Sequence, residues 1–254
     1  MLKFLIENSW ILILNILLNS QTFLNDASLF NFMHVSKLDM NGNSLVGLYI
    51  LPLNDIVLVG TEVPKEDYSL LEEIFGAKVY SLSIAGTSLL GVFLATDGEK
   101  LLVPSVIFDY EKEIIDKLGI PYVLVETTNT CLGNNVLFTK KGLVCNPSFE
   151  KSAIDQMVSF LNIPVHISDV EVPTIGSFIA HNSKFGLISH DLSDNQIDLL
   201  AKHLDLRLIP GTVNMGSVQV ASGIAVNDKG FVIGTMSGGP EIMNADHALG
   251  FIDN

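Results

Sequence analysis

The sequence predicts an α/β protein built from five similar modules that close into a ring. A pattern of strand, tight turn and strand, clearest at residues 130–147, recurs along the chain. A glycine opens each copy, and near-equal periods of 44, 42, 43 and 47 residues are typical of repeat architectures. The last module lacks its final strand, which a segment near the beginning of the chain can supply. The opening glycines are Gly47, Gly91, Gly133, Gly176 and Gly223.

Each module is predicted to contain two strands, a helix and a third strand. The first strand follows the opening glycine, as at residues 45–50 and 91–95, and leads into a turn rich in Asn, Asp, Lys and Gly. These residues tolerate the positive φ angles that hairpin turns need. The second strands are short apolar runs at residues 56–59, 101–103, 143–145, 186–189 and 231–233. The third strands are expected at residues 78–84, 122–126, 165–170 and 206–213.

The helix of each module is predicted from its first residues and from its apolar spacing. Proline is favoured at the first helical position, and Pro64, Pro147 and Pro240 lie at or just before three predicted starts. Asp109 opens the second helix, and Ser193 with Gln196 forms a capping box at the start of the fourth. Apolar residues three and four positions apart then give each helix one buried face.

Closure of the ring is predicted from the two ends of the repeat array. The chain stops within four residues after Gly250, so module five has no third strand of its own. Residues 34–40 precede the first opening glycine and belong to no complete module. We therefore expect residues 34–40 to pair as the missing strand, because closure removes the free strand edges of an open array.

Residues 1–32 differ from the rest and are assigned to an apolar N-terminal extension, followed by a single domain at residues 33–254. The apolar core of the extension is too short and too interrupted for a membrane span, which needs about 20 apolar residues. We favour an upstream stretch read from a wrongly chosen start, with Met33 as the native first residue. A genuine extension and a targeting signal are the alternatives.

The composition indicates a globular protein whose partners are basic. Of 254 residues, 48% are apolar and 17% are charged, and the formal net charge is −14. An acidic chain is repelled by phosphate backbones unless it carries a local basic patch. Lysine and arginine number 14, and their longest run is the pair Lys140-Lys141. A basic protein is therefore a better partner than nucleic acid.

Cysteines and histidines give no pattern of a catalytic or metal site. Cys131 and Cys145 are interpreted as small buried residues of a reduced protein. His181 and His190 flank the turn of module four, but a metal ion there would need two more ligands, and none is in register. The remaining histidines away from the last helix are isolated in sequence: His34, His166 and His203.

From Met33 onward, over about 220 residues in family order, the chain resembles the translation initiation factor 6 family of archaea and eukaryotes. Because the chain has no tail beyond Asn254, it is more similar to the archaeal members. The residues that carry the resemblance are Ile84-Ala85-Gly86, Asn129-Thr130, Leu132-Gly133-Asn134, Pro173-Thr174-Ile175-Gly176-Ser177, Gly211-Thr212-Val213-Asn214, Val226-Asn227-Asp228-Lys229-Gly230 and Gly239-Pro240-Glu241.

The resemblance implies the pentein fold, a five-fold pseudosymmetric ring (α/β propeller) of ββαβ modules. It implies binding to the large (50S) ribosomal subunit, which sterically prevents association with the small (30S) subunit, and a role in maturation of the large subunit. The implied contacts are ribosomal proteins near the sarcin-ricin loop, with little direct contact to nucleic acid. It further implies a cytoplasmic monomer without a membrane partner, a cofactor, a metal or a catalytic residue.

Asn134 and Asn135 are the candidate ribosome-binding residues. Asparagine is depleted in strands, yet both residues follow the opening glycine of module three. Their amides either satisfy neighbouring strand ends or form part of a rim that faces the ribosome. Asn134 matches the Leu-Gly-Asn motif of the family, which favours the second interpretation for that residue.

Two alternative functions are weighed against ribosome binding. Guanidine-modifying penteins share the predicted ring and need an activated cysteine near the C-terminal end. No cysteine follows Cys145, and Asp246-His247 alone supplies no nucleophile, so we do not expect an enzyme. The other alternative is a non-catalytic ring that serves as a scaffold for a different protein.

Overall fold

A computed structural model describes residues 33–168 and 174–252, and within them the strands form five three-stranded sheets. All five sheets lie in the compact unit His34–Asn254. The predicted α/β ring of ββαβ modules is confirmed. The predictions for residues 1–32 and for the end of the strand at Val170 lie outside the described residues.

In each sheet an inner strand pairs antiparallel with a middle strand, which pairs in parallel with an outer strand. The inner strands are β2 (Ile50–Pro52), β5 (Ala95–Thr96), β8 (Val136–Phe138), β11 (Ile179–His181) and β14 (Ile224–Val226). The middle strands are β3 (Ile56–Gly60), β6 (Leu101–Pro104), β9 (Leu143–Cys145), β12 (Phe185–Ser189) and β15 (Phe231–Gly234). The outer strands are β1 (Val35–Leu38), β4 (Lys78–Leu82), β7 (Tyr122–Val125), β10 (Val165–Ile167) and β13 (Arg207–Gly211). The middle strands are almost entirely buried, as their apolar composition predicts.

The ring closes as predicted, because β1 supplies the outer strand of module five. It pairs in parallel with β15, and Val35 lies opposite Phe231. Beside this ladder, His34 Nε2 lies 2.9 Å from Asp246 Oδ1, and the His34 ring stacks on Phe251 at 5.3 Å between centroids. Residues from both ends of the repeat array therefore form one packed joint.

Within the described residues, five helices of eight or more residues cover the sheets: α1 (Tyr68–Phe75), α2 (Asp109–Leu118), α3 (Lys151–Leu161), α4 (Asp194–Leu204) and α5 (Gly239–Ala248). The capping box of α4 is confirmed, since the Ser193 N–H donates to Gln196 Oε1 at 2.9 Å. The predicted start of α3 at Pro147 is wrong. The helix begins at Lys151, four residues later, and Glu150 before it has an extended backbone, with its carboxylate accepting hydrogen bonds from Thr127 and Thr128.

The segments at the opening glycines are single helical turns, not the predicted strands. We call them the axial turns: Val46–Leu48, Leu90–Phe93, Leu132–Asn135, Ile175–Phe178 and Val220–Gly223. Each turn contacts the next around the ring, and the fifth contacts the first. The contact is so close that a Cβ at Gly91 would overlap the Gly47 carbonyl oxygen.

The axial turns also correct the alignment of module five. The first residue of each turn is fully buried, and in module five this residue is Val220. Ala221, not Gly223, therefore stands at the position of the opening glycine, which makes the last spacing 45 residues. The Ala221 carbonyl oxygen faces Gly47 and completes the ring of contacts.

The strand directions give the ring two different faces. Each inner strand begins at its axial turn, and the middle and outer strands run the opposite way, so they end on the side of the axial turns. The helices begin on this side too, and we call it the turn face. On the opposite side, the hairpin face, hairpins join the inner and middle strands and the helices end. A cavity of about 140 Å³ follows the axis between the inner strands.

Candidate interaction surface

Asn134 and Asn135 both lie in an axial turn on the turn face, so the argument from asparagine in strands does not apply to them. Asn135 has an internal role. Its amide donates to the Cys131 carbonyl oxygen at 2.8 Å, and its Oδ1 accepts from Asn146 Nδ2 at 2.6 Å. These bonds tie the axial turn of module three to the end of β9.

Asn134 is partly exposed, and its side chain makes no hydrogen bond to another residue of the described part. Its backbone is fixed, because a Cβ on the neighbouring Gly176 would lie about 3 Å from the Asn134 carbonyl group. A side-chain amide on a fixed backbone has two donors and an acceptor to offer a partner. The structure thus gives different roles to two residues that are adjacent in sequence: the Asn135 side chain is bonded internally, and the Asn134 side chain is available to a partner.

A buried carboxylate holds the loop that follows β4. Glu111, in the first turn of α2, accepts hydrogen bonds from the Ala85 and Gly86 N–H groups at 2.9 Å and from Ser83 Oγ at 2.7 Å. Ala85 and Gly86 have φ angles of 52° and 73°, and successive left-handed residues direct their N–H groups into one anion-binding concavity. Burial alone would raise the pKa of Glu111, but these hydrogen bonds lower it below its usual value.

The same arrangement recurs at module five. Glu241 accepts from the Met215 N–H at 3.1 Å and from the Gly216 N–H and Thr212 Oγ1 at 2.9 Å. Burial opposes ionisation there too, yet hydrogen bonds lower the pKa of Glu241. In module three, Glu150 bonds Thr127 and Thr128, and these bonds lower its pKa to about 2. We call the three carboxylates the loop clasps, because each joins a helix start to the preceding module.

Sequence reasoning missed the loop clasps, although a signal for two of them exists. Glu111 and Glu241 each occupy the third helical position, where a carboxylate can cap the backbone N–H of the residue before the helix. Gln196 has the same position in module four and was recognised. The long-range half of each clasp depends on left-handed backbone at Ala85 and Met215, which local sequence does not reveal.

The turn face carries a large excess of acidic residues. Among residues 33–168 and 174–252, eleven lie in its loops and helix starts, all but the buried Glu111 at least partly exposed, against three lysines, Lys65, Lys112 and Lys151. Acidic side chains are favoured near helix N-termini, where the helix dipole is positive. The acidic residues are Asp39, Glu62, Glu66, Asp67, Asp109, Glu111, Glu126, Glu150, Asp191, Asp194 and Glu241.

Exposed apolar side chains occur on the same face. At the start of α2, Val106, Phe108 and Tyr110 are each about half exposed, and the two aromatic rings stack at 5.6 Å. In module five, Met215 is 78% exposed and Met236 is 53% exposed. Contiguous exposed apolar surface rimmed by polar groups is typical of protein interaction sites.

The histidines that are isolated in sequence have partners in the fold. His34 pairs with Asp246, and the His166 and His203 rings stack at 3.6 Å between centroids. His190 Nε2 lies 3.3 Å from Asp191 Oδ1. Within residues 33–168 and 174–252 there is no cluster of three metal-ligating side chains. Nor is any helix of that part long and apolar enough to cross a membrane.

Both cysteines are free, and Cys145 is fully buried on β9. Burial raises the pKa of the Cys145 thiol to about 11. A thiol with so high a pKa is a poor nucleophile at neutral pH. Cys131 is partly exposed and precedes the axial turn of module three.

The model of the eIF-6 family matches residues 35–248. The chain belongs to the eIF-6 family. Translation initiation factor 6 of Saccharolobus islandicus is 30% identical over 224 residues, covering 86% of this chain and 100% of that protein. Its counterpart in Methanocaldococcus jannaschii is 30% identical over 224 residues, covering 84% and 96%. That of Pyrobaculum aerophilum is 25% identical over 217 residues, covering 85% and 99%.

A solved structure outside the eIF-6 family shares the fold. Apo ArgZ, an arginine dihydrolase from the ornithine–ammonia cycle in cyanobacteria, superimposes with a TM-score of 0.51 at 14% identity. The match covers 73% of this chain and 33% of ArgZ. At this identity the likeness concerns the fold alone, and it confirms the pentein ring expected from the sequence.

Proposed function

We propose that this eIF-6 family member binds the large ribosomal subunit through its turn face and thereby prevents the small subunit from joining. The observation that carries the proposal is the composition of this face. It joins an uncommitted Asn134 amide to ten exposed or partly exposed acidic residues and to exposed aromatic and methionine side chains. Such a surface is complementary to basic ribosomal proteins.

The mechanism requires rigidity and bulk and no covalent chemistry. The loop clasps fix the loops of the turn face, so little conformational entropy remains to be lost on docking. A closed ring seated on the subunit then occupies space that the other subunit would need. The axial cavity of about 140 Å³ is smaller than typical ligand pockets of roughly 300–1,000 Å³, which favours a non-enzymatic role without a cofactor.

Substitution of Asn134 tests the proposal. Asn134→Arg places a bulky cation where a basic partner docks, and loss of an interface hot spot costs about 2 kcal/mol or more. We expect co-sedimentation with purified large subunits to weaken about 30-fold. The matched control is Asn54→Arg, because Asn54 is also partly buried but lies on the hairpin face.

Two outcomes decide the matter. Equal binding by folded Asn134→Arg and wild-type protein would remove Asn134 from the interface. Failure of the wild-type protein to co-sediment with purified subunits at any practical concentration would favour a scaffold for another protein.

Weaker association at higher ionic strength is expected for the proposed docking, because salt screens the attraction between an acidic face and basic proteins.

A further inference from the structure

The hairpin face carries basic residues from four separate segments at the seam between modules three and four. Lys140 and Lys141 lie in the hairpin between β8 and β9, and Lys184 lies in the hairpin between β11 and β12. Lys202 lies in the last turn of α4, and Arg207 begins β13. All five are exposed, and we call them the seam cluster.

Packing between the two modules holds these segments together. Thr139 Oγ1 donates to the Leu204 carbonyl oxygen at 2.8 Å, which joins the first hairpin to the end of α4. The contact leaves no room for a Cβ at Gly142, which would overlap the His203 carbonyl oxygen. The Arg207 N–H donates to the Lys184 carbonyl oxygen at 2.9 Å and joins β13 to the second hairpin.

The outer part of the seam cluster is cationic although the whole chain is strongly acidic. Asp97 and Asp228 line the axial cavity, and Glu99 pairs with Lys140, so these three carboxylates lie on the axial side. Away from the axis, Lys141 and Lys184 share a cleft with Asp205, and Lys202 and Arg207 lie three and two residues from Asp205 in the sequence.

A cleft of about 240 Å³ separates the two hairpins. Lys140, Lys141 and Lys184 line it together with the hydroxyl groups of Thr139 and Ser183, and two carboxylates, Asp97 on the axial side and Asp205, complete its charged lining. Lysines 141, 184 and 202 make no ion pair with any residue in the part of the chain that the structure describes. Of these lysines, Lys141 and Lys184 lie in the cleft beside hydroxyl donors, an arrangement suited to phosphate oxygens.

Two stacked imidazoles border the same seam. His203 follows Lys202 on α4, and its ring stacks on His166 of β10 at 3.6 Å, with an angle of 28° between the ring planes. Both side chains are partly exposed. Aromatic rings, histidine included, provide surfaces on which unpaired RNA bases stack.

We propose that the seam cluster binds single-stranded RNA, with the lysines contacting phosphates and the stacked histidines contacting a base. The planar rings beside the cations favour RNA over an acidic peptide, because an acidic peptide has no base that could stack on the histidine rings. The sequence indicated little contact with nucleic acid because its longest basic run is two residues; the fold assembles the patch instead. The proposal concerns the face opposite to Asn134 and does not depend on ribosome docking through the turn face.

The test measures binding of a fluorescein-labelled oligouridylate of about 12 nucleotides, within the roughly 4–16 nucleotides of single-strand sites. The patch variant is Lys141→Gln/Lys184→Gln/Lys202→Gln. We expect its affinity to fall at least tenfold at about 50 mM salt. The slope of log K against log salt should become shallower by about 2, because each single-strand phosphate contact contributes about 0.7.

The matched control is Lys65→Gln/Lys112→Gln/Lys151→Gln, which removes the same charge from exposed lysines of the turn face. It should keep its RNA affinity within about twofold of the wild type, since its lysines lie away from the patch. An oligoglutamate competitor should not displace the RNA. The proposal fails if wild-type protein does not bind, if both folded variants lose affinity alike, or if oligoglutamate competes as well as oligouridylate.

Discussion

Glu111 shows how one buried side chain can determine the shape of a distant loop. It is fully buried, and its carboxylate receives backbone N–H groups from a loop 25 residues earlier. Two of the donors, Ala85 and Gly86, have left-handed backbone, which is unfavourable for alanine by roughly 1–2 kcal/mol. The carboxylate offsets this cost and keeps the loop in one conformation on the turn face.

Glu111→Gln should therefore destabilise the protein by about 2 kcal/mol at pH 7, because hydrogen bonds to charged groups contribute roughly 1.5–3 kcal/mol. The amide also turns a donor toward N–H groups that need an acceptor. Urea unfolding measures the change, with Glu113→Gln as the control on the exposed side of the same helix. Equal free energies of unfolding for the two variants would contradict a structural role for the Glu111 charge.

The loop clasps also predict how stability depends on pH. The folded-state pKa of Glu111, Glu150 and Glu241 lies below the ordinary value of 4.5. Such groups stabilise the folded state fully above their unfolded pKa and lose that contribution as the pH falls through the folded pKa. We expect the free energy of unfolding to decline below about pH 4.5, and the difference between wild type and Glu111→Gln to shrink there. A difference that stays constant from pH 7 to pH 3 would contradict this account.

At the scale of the element, the axial turns explain why glycine recurs at one position. In modules one to four the second residue of the turn meets the carbonyl oxygen of the preceding turn around the ring, and a Cβ would occupy the same space. Module five accepts Ala221 at this position. The recurrence of glycine in modules one to four therefore reflects close backbone packing.

Gly133→Ala should destabilise the ring, because its Cβ would overlap the carbonyl oxygens of Gly91 and Leu94. Overpacking of this kind costs roughly 1–3 kcal/mol. The comparison is Ala221→Gly at the equivalent position, which removes a methyl group and should change stability by less than about 1 kcal/mol. Thermal and urea unfolding measure both, and equal stability of Gly133→Ala and wild type would disprove the tight axial packing.

At the scale of the molecule, closure depends on a joint between residues far apart in sequence. His34 and Asp246 are separated by 212 positions, and the His34 carbonyl oxygen accepts the Phe231 N–H at 2.7 Å. Since every sheet contacts its neighbours around the ring, weakening this joint should lower the stability of all five modules together.

His34→Ala should reduce the free energy of unfolding by about 1–2 kcal/mol, through loss of the bond to Asp246 and of the ring stack on Phe251. His190→Ala is the control, because its pair with Asp191 is exposed and such pairs contribute little, within about 1 kcal/mol. Unfolding should remain one transition in both. A separate early transition confined to β1 and β15, detected by hydrogen exchange, would contradict a closed ring that unfolds as a unit.

The prediction of modules, strands and closure succeeded because apolar periodicity and turn residues act locally, and five copies of the pattern support one another. The axial turns were predicted wrongly since a stretch of only three or four residues is too short for its periodicity to distinguish a strand from one turn of helix. The same error misplaced Gly223, because only backbone packing identifies Ala221 as its structural counterpart.

By itself the sequence determined the ring, its five modules and the strand that closes it, because the spacing of apolar residues indicates which of them are buried. The tertiary structure alone decided which residues share a surface. It gave the side chains of Asn134 and Asn135 different roles, stacked His166 on His203 and brought the seam cluster together from four segments. The physical reason is that surface neighbours are set by the packing of one module on the next, and local sequence does not encode that packing.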